Sequence, residues 1–454
     1  VGGEGCQATA SAFAGTLVGA LYAVNAWDMP TTYLIIAGAI VIAGSKIDLR
    51  TILSLAALGA SALVTLLPFA LHYTSPVGAD TGWIIDRPIA IPGMDFVIRT
   101  LGLVVWPKSA FPDLLLIYGL FLIIFLLFAF SLWRSIPSDR RHPPAMLLAL
   151  VPLFLIAAIA AQFAALALFG LPLLALLWLV RHGNRERAPQ FTAWLFGVAF
   201  FLVLTVEVVF LRDVFGDRMN TVFKVYFQVW GILAIASAVA LPAAPAAIAA
   251  RNGKGPALAM GAIVATLLAG AGLYTPISAY HWDNGFAQWH GLDGLAYITQ
   301  IAPAEREAID WIRAHTQPSD VVLEAPGCSY GTSNGFPDSR VSMAAGVPAV
   351  IGWQSHEFQW RAGQPDLLQE IAERQQAVDQ IYEDPESDAA GKAIERYHVT
   401  YLYIGALETS GSASECGGSA PYPRISTERL KRLGWTPVFQ TGEVRVFYRP
   451  AAGA

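Results

Sequence analysis

The sequence predicts a polytopic α-helical membrane protein of about nine transmembrane helices, ending in an extracytoplasmic α/β domain. Three observations predict it. Apolar runs of bilayer-spanning length recur up to residue 274 and then stop, which divides the chain into a transmembrane domain (1–274, with an external loop 72–112) and a soluble domain (275–454). Hydrophobic residues make up 55% of the chain and charged residues 14%, with a mean hydropathy of +0.49, a balance rare in soluble chains of this length. Cationic residues concentrate in alternate connections, the asymmetry that orients membrane proteins.

A helix needs about 20 apolar residues to cross the hydrocarbon core. By that measure spans lie near 8–24, 31–45, 51–71, 113–133, 145–162, 163–180, 191–211, 222–241 and 256–274. The second is short, within what local thinning and snorkelling tolerate. The fifth and sixth abut without a polar stretch, so they read either as two helices joined by a tight hairpin at Gln162 or as one span and a re-entrant piece. Lys46 and Arg50 follow the second span, Arg134, Arg140 and Arg141 the fourth, Arg181, Arg185 and Arg187 the sixth, and Arg251 and Lys254 the eighth. These groups share one side only if the fifth and sixth segments are separate spans. That arrangement places the first residues inside and the long tail outside.

The opposite connections are NAWDMP (25–30), the segment 72–112 and RDVFGDRMNT (212–221). The segment 72–112 is too long for a plain link and reads as a lid, with 96–106 expected to lie as an amphipathic helix in the interface. After Tyr274 the pattern becomes α/β. A helix is expected over 303–316, a strand over 321–326, then a Gly/Ser/Asn-rich loop and the apolar run PAVIGW (348–353). Helices over 364–383 and 388–397, a strand over 399–405 and a terminal hairpin-like pair follow.

The net charge of -5, with cations in short clusters, leaves no basic face, so nucleic acid is set aside as a partner. Cys6, Cys328 and Cys416 form no CxxC pair and no His stands at metal-ligand spacing, which argues against zinc. Cys328 and Cys416 share the external domain, where a disulfide between them is permitted.

Three strings carry a resemblance: NAWDMPTTY (25–33), GDRMNTVFKVYFQVW (216–230) and RVSMAAGVPAVIGWQSHEFQWR (340–361). In these the chain resembles the Chlor_Arch_YYY family of polytopic membrane proteins, over most of its length. The tyrosine triplet of that family's name is absent and the chain opens at Val1, which points to a further N-terminal portion. The family in turn looks like a distant relative of the GT-C glycosyltransferases. That likeness implies a GT-C-like helical fold, catalytic loops outside, and transfer of a sugar from a polyprenyl-phosphate donor to an extracytoplasmic acceptor. It also implies an acidic residue of the first external loop as base or metal ligand, which would lie in the portion before Val1.

In GDRMNTVFK, Asp217, Arg218, Asn220 and Lys224 sit at the outer mouth of the eighth span. Arg218 and Lys224 can pair with lipid-borne phosphate, Asn220 with them; equally, they can snorkel to headgroups and pair with Asp213 and Asp217. Asp28 reads as a base or metal ligand, or as a helix cap ahead of Pro30. Glu207 is a proton or metal group, or the structural partner of Lys224. Together Asp28, Asp217 and Glu207 are the candidate catalytic acids. Asp80, Asp86, Arg87 and Asp95 in the long loop could hold Mg or Mn, but such scattered charges also suit a solvated face.

In the soluble domain, WQSHEFQWR gathers His356, Glu357, Trp360 and Arg361 as a sugar-facing surface, because aromatic faces stack on sugar rings while carboxylate and guanidinium groups bind hydroxyls. The same segment could instead dock the domain onto the membrane part. Glu324, Ser329 and Tyr330 could form a second wall. HExxH and Walker patterns are absent, so metalloprotease and nucleotide-loop chemistries fall. Beside glycosyl transfer stand two alternatives: a non-catalytic subunit of a membrane complex, and, with less support, a transporter. Membrane lipids and a protein acceptor or complex partner complete the expected partners.

Overall fold

The computed structural model describes residues 2–44, 46–78, 88–90, 97–141, 145–183, 186–242, 249, 254–287, 291–329, 331–333, 335–410 and 420–450. The chain forms two compact units, Val1–Gly285 and Phe286–Ala454.

The first unit is helical: α1 (Gly2–Asn25), α2 (Asp28–Gly44), α3 (Leu49–Ala70), α4 (Phe111–Ser135), α5 (Ala145–Ala160), α6 (Leu171–His182), α7 (Arg187–Val206), α8 (Met219–Ala240), α9 (Lys254–Gly272) and α10 (Tyr274–Trp282). Among the described residues six helical stretches are long and apolar enough to cross a membrane: Gln7–Asn25, Leu49–Ala70, Phe111–Ser135, Arg187–Val206, Met219–Ala240 and Lys254–Trp282. Asp28–Gly44, Ala149–Ala160 and Leu166–His182 are shorter apolar helices. Their outward faces carry bare side chains such as Leu116, Ile159 and Phe227, which suit a lipid solvent.

Small residues let α1 and α3 pack closely. A Cβ on Gly15 would fall 2.1 Å from Ser61 Oγ, and one on Gly19 2.3 Å from the Ala62 carbonyl oxygen. The Gly-x-x-x-Gly spacing thus lets the α1 backbone lie directly on α3. The unit's core is aromatic and sits between α4, α7 and α8, where Phe125 meets Phe196 and Phe200 at ring distances of 5.3 and 4.9 Å. Between α5 and α6 the chain turns at Gln162, held at φ 50°, and re-enters through one π-helical turn, Leu166–Gly170. Gly170 then faces Phe154, eight positions on the other side of that turn, as two antiparallel helices require.

Two expectations are corrected here. The stretch 96–106 is not an interfacial helix: β2 (Val97–Leu103) pairs antiparallel with β1 (Pro88–Ala90) and with β3 (Val209–Leu211). The seventh span accordingly ends at Val206 and not at residue 211. Both follow from one cause. The β-branched, apolar segments 97–103 and 209–211 satisfy their backbone groups in each other, which neither could do alone at a membrane boundary. The Arg212 N–H on the Thr100 carbonyl (3.0 Å) and Arg212 Nη1 on the Arg99 carbonyl (2.8 Å) extend the fastening.

The second unit is a mixed four-stranded sheet with helices: α11 (Ala296–Ile301), α12 (Pro303–His315), β4 (Val321–Leu323), β5 (Thr332–Ser333), β6 (Phe336–Pro337), α13 (Arg340–Ala345), α14 (Gln354–Trp360), α15 (Pro365–Glu383), α16 (Asp388–Arg396), β7 (Val399–Ile404), α17 (Ala406–Ser410), α18 (Thr427–Arg432), β8 (Thr436–Thr441) and β9 (Val444–Tyr448). The order is β4-β7-β9-β8, with β4 parallel to β7 and the rest antiparallel. The central strand β7 is buried throughout, which is why VTYLYI is apolar without alternation. The predicted strand over 321–326 is shorter, because Glu324 and Ala325 leave the ladder to bond with α13 and α17.

Candidate functional site

At one end of the helical unit, the starts of α2, α4 and α8 and the end of α7 come together. Glu207 follows α7 and is fully buried. Its carboxylate accepts from Ser109 N–H (3.0 Å), Ser109 Oγ (2.6 Å) and Tyr226 Oη (3.2 Å), and pairs with Arg218 at 2.9 Å. Arg218 also donates to the Pro107 carbonyl at 3.1 Å. The sheet β1-β2-β3 delivers Pro107 and Ser109 here, so the second half of the long segment 72–112 is pinned across the α7–α8 junction. Nearby, burial lowers the Lys108 pKa against the pull of Glu207.

The ion-pair partner of Glu207 is therefore Arg218 and not Lys224, whose Nζ lies 5.6 Å from the Phe223 ring. Asp28 accepts from Asn25 Nδ2 (2.9 Å) and Gln228 Nε2 (2.8 Å). Asp217 accepts from Met219 N–H at 2.7 Å at the start of α8, and Asn220 donates to Asp213 at 2.7 Å. Tyr226 and Gln228, two positions apart on α8, point about 200° from each other. Glu207 and Asp28 thus sit on opposite sides of that helix. The structure brings Glu207 and Arg218 together but not the three candidate acids. Asp80, Asp86, Arg87 and Asp95 lie outside the described residues. Among the described residues no group of three or more His, Cys, Asp or Glu could hold a metal ion.

In the second unit, a cavity of about 760 Å³ is lined by His356, Glu357, Trp360 and Arg361, the four candidates of WQSHEFQWR, with Trp353, Ser339 and Ser342 among its other walls; the expected second wall, Glu324 and Ser329, is not part of its lining. The first turn of α14 and its C-cap position these side chains at helical spacing. Glu357 and Arg361 pair one turn apart, the His356 ring packs near Trp353 at 5.7 Å, and His356 Nδ1 is 3.2 Å from Ser329 Oγ. Trp360 is 71% exposed, an indole face offered to solvent. Charge on this wall is balanced between Glu357 and Arg361, which suits a polyhydroxyl ligand better than a phosphate. Tyr330 lies outside the described residues, and so does Cys416; Cys328 is disulfide-bonded.

Behind the cavity lies a charge cluster that sequence reading missed. Arg340 is fully buried and bonds Glu305 Oε2 through Nε (2.6 Å) and Glu408 Oε2 through Nη2 (2.8 Å). Glu324 accepts the Val341 and Ser342 N–H groups at 2.8 and 2.7 Å, so it is a structural carboxylate and no cavity wall. Burial pushes its pKa up. For Glu305 burial also pushes upward, but the Arg340 charge and hydrogen bond outweigh it and leave the pKa below the ordinary carboxylate value.

Fold and site define a multi-pass helical membrane protein that carries a C-terminal α/β unit. The chain belongs to the DUF2298 family, described as an uncharacterized membrane protein, whose family profile matches residues 5–233. That match covers α1 through most of α8. No curated protein and no solved structure matches the chain.

Proposed function

We propose that the protein handles sugar on the extracytoplasmic side, as a GT-C-like enzyme that takes the sugar from a polyprenyl-phosphate donor. The single observation that carries this reading is the cavity of the second unit, which gathers two Trp faces, a Glu–Arg pair and a His without net charge on the wall. Two facts support the extracytoplasmic placement. Cationic residues cluster in alternate connections, and Cys328 is disulfide-bonded, which oxidising compartments favour. The nine-span count rests on the six long helices together with the three shorter ones. In this reading Arg218 is a phosphate-facing cation at the outer mouth, drawn from Glu207 when the carrier binds.

A second reading, a non-catalytic subunit, is favoured by a different observation. Asp28, Asp217 and Glu207 each spend their oxygens on bonds that fix helix ends. The deciding experiment uses the full chain in lipid nanodiscs with polyprenyl-phosphate-linked sugars. Transfer, or at least retention of the sugar, with a tenfold or greater loss in Trp360→Ala supports the enzyme reading. Undiminished transfer in an Asp28→Asn, Glu207→Gln, Asp217→Asn triple variant removes these carboxylates from catalysis. Absence of both binding and transfer in the unaltered protein leaves the subunit reading.

A further inference from the structure

Beside the cavity, three side-chain oxygens are buried without hydrogen-bond partners: Asp338 Oδ1, Ser339 Oγ and Oε1 of the half-buried Gln354. Asp338 and Ser339 are 6% and 2% exposed. Two of the three residues meet at Gly327, and Ser339 follows Asp338 directly in the chain. A Cβ on Gly327 would fall 2.2 Å from Asp338 Cγ and 2.7 Å from Oδ1, and the Gly327 carbonyl accepts the Gln354 N–H at 3.0 Å. Trp353 Nε1 donates to the Asp338 carbonyl at 3.0 Å, and Ser339 is held in the left-handed region at φ 50°.

This is an unusual set. A buried carboxylate is costly unless a positive charge or several donors reach it, and buried acceptors are nearly always satisfied. The neighbouring guanidinium, Arg340, turns its Nε and Nη2 to Glu305 and Glu408, and its Nη1 is buried without a partner. Asp338 forms no ion pair among the described residues. The conformation is imposed from both sides, by the Glu324 bonds to Val341 and Ser342 N–H and by the Asp338 N–H on the Gly331 carbonyl (3.0 Å). Left-handed backbone at a non-glycine residue persists where the surroundings hold it, and such places concentrate at ligand sites.

We propose that Asp338, Ser339 and Gln354 form a divalent-cation site, with calcium the ion their chemistry fits. All the donors are hard oxygens, from a carboxylate, a hydroxyl and a side-chain amide, which excludes the soft metals that thiolate and imidazole select. Calcium accepts such ligands in irregular geometry and fills the rest of its shell with carbonyls and water, whereas magnesium demands a near-octahedral cage. A single carboxylate places the dissociation constant on the order of 10⁻⁴–10⁻³ M, the range of extracellular calcium modules. Because Ser339 and Trp353 also line the cavity, the ion would stiffen one of its walls. The site stands whether or not the cavity takes sugar.

The test uses the full chain in zwitterionic nanodiscs, stripped with chelator. Calcium is expected to raise the melting temperature of the second unit, and terbium to show luminescence sensitised through Trp353 that calcium displaces. Asp338→Asn is expected to abolish both signals while melting in chelator no lower than the unaltered protein, since it removes an unpartnered buried charge. Gln354→Met, which keeps the side-chain length, should weaken calcium about tenfold, the loss of one of few ligands. An unaltered protein indifferent to calcium up to about 10 mM, well above the expected constant, overturns the proposal. So does a calcium response that persists at full strength in both variants.

Discussion

Replacing Arg340 with Met tests how the second unit is held together. Among the described residues Arg340 is the one cation in contact with two buried carboxylates, and through them it ties α12 to the ends of β4 and β7. Glu408 accepts Ala325 N–H (2.7 Å) and Gly405 N–H (2.8 Å), and Glu305 accepts Ala406 N–H (2.7 Å). Methionine fills similar length but leaves both carboxylates in an apolar setting with only backbone donors and, at Glu305, the Tyr403 hydroxyl. Removing one partner of a buried ion pair costs about 3–5 kcal/mol. For a unit of this size each kcal/mol moves the melting temperature by about 2–4 °C, so the expected drop is about 6–20 °C. The assay is near-UV circular dichroism of the purified full chain, with protease cleavage after Phe286 as a second readout. The companion variant Arg340→Met, Glu305→Gln, Glu408→Gln removes both signs of charge and should recover much of the loss. A single variant melting within about 2 °C of the unaltered protein, the yield of about 0.5–1 kcal/mol, would show that the backbone donors and the Tyr403 hydroxyl are enough to neutralise the carboxylates.

Three further outcomes are expected. Arg218→Met leaves Glu207 buried without its cation and should destabilise the helical unit by about 3–5 kcal/mol, with Glu207→Gln in the same chain restoring part of it; equal melting of both variants would count against the pairing. Gly19→Leu forces α1 away from α3, at a cost of about 1–3 kcal/mol, measured as a lower melting temperature, whereas Thr16→Leu, one turn away and exposed, should not. The pKa of Glu305 is held below its ordinary 4.5, so its stabilising contribution is complete above that value and is lost as pH falls through the lower folded one. Melting profiles from neutral pH downward should therefore show an acid limb that Glu305→Gln lacks, and superimposable profiles would refute the assignment.

Much of the helical unit was legible in the sequence because hydropathy is a local property. Each apolar run announces its own helix, and the turn at Gln162 shows itself as a single polar residue between two runs. The same locality explains the cavity residues, since His356, Glu357, Trp360 and Arg361 lie within two turns of one helix, and helical spacing alone brings them to one wall. The Gly15 and Gly19 pair was also present to be read, as a spacing of four in an apolar helix.

What the sequence determined by itself, then, was the membrane character of the apolar helices, the presence of a sheet towards the C-terminus, and the local face of α14. Tertiary structure decided the rest, because the partners are far apart along the chain. Ser109 reaches Glu207 across 98 residues and Gln228 reaches Asp28 across 200, and no local pattern encodes either bond. The strand 97–103 reads as an amphipathic helix until 209–211 is placed beside it. Arg340 reads as one more surface cation until Glu305 and Glu408, 35 residues before it and 68 after, close around it. Burial of a charge is a property of the folded neighbourhood, and only the fold can show which carboxylates are spent on structure and which remain for a ligand.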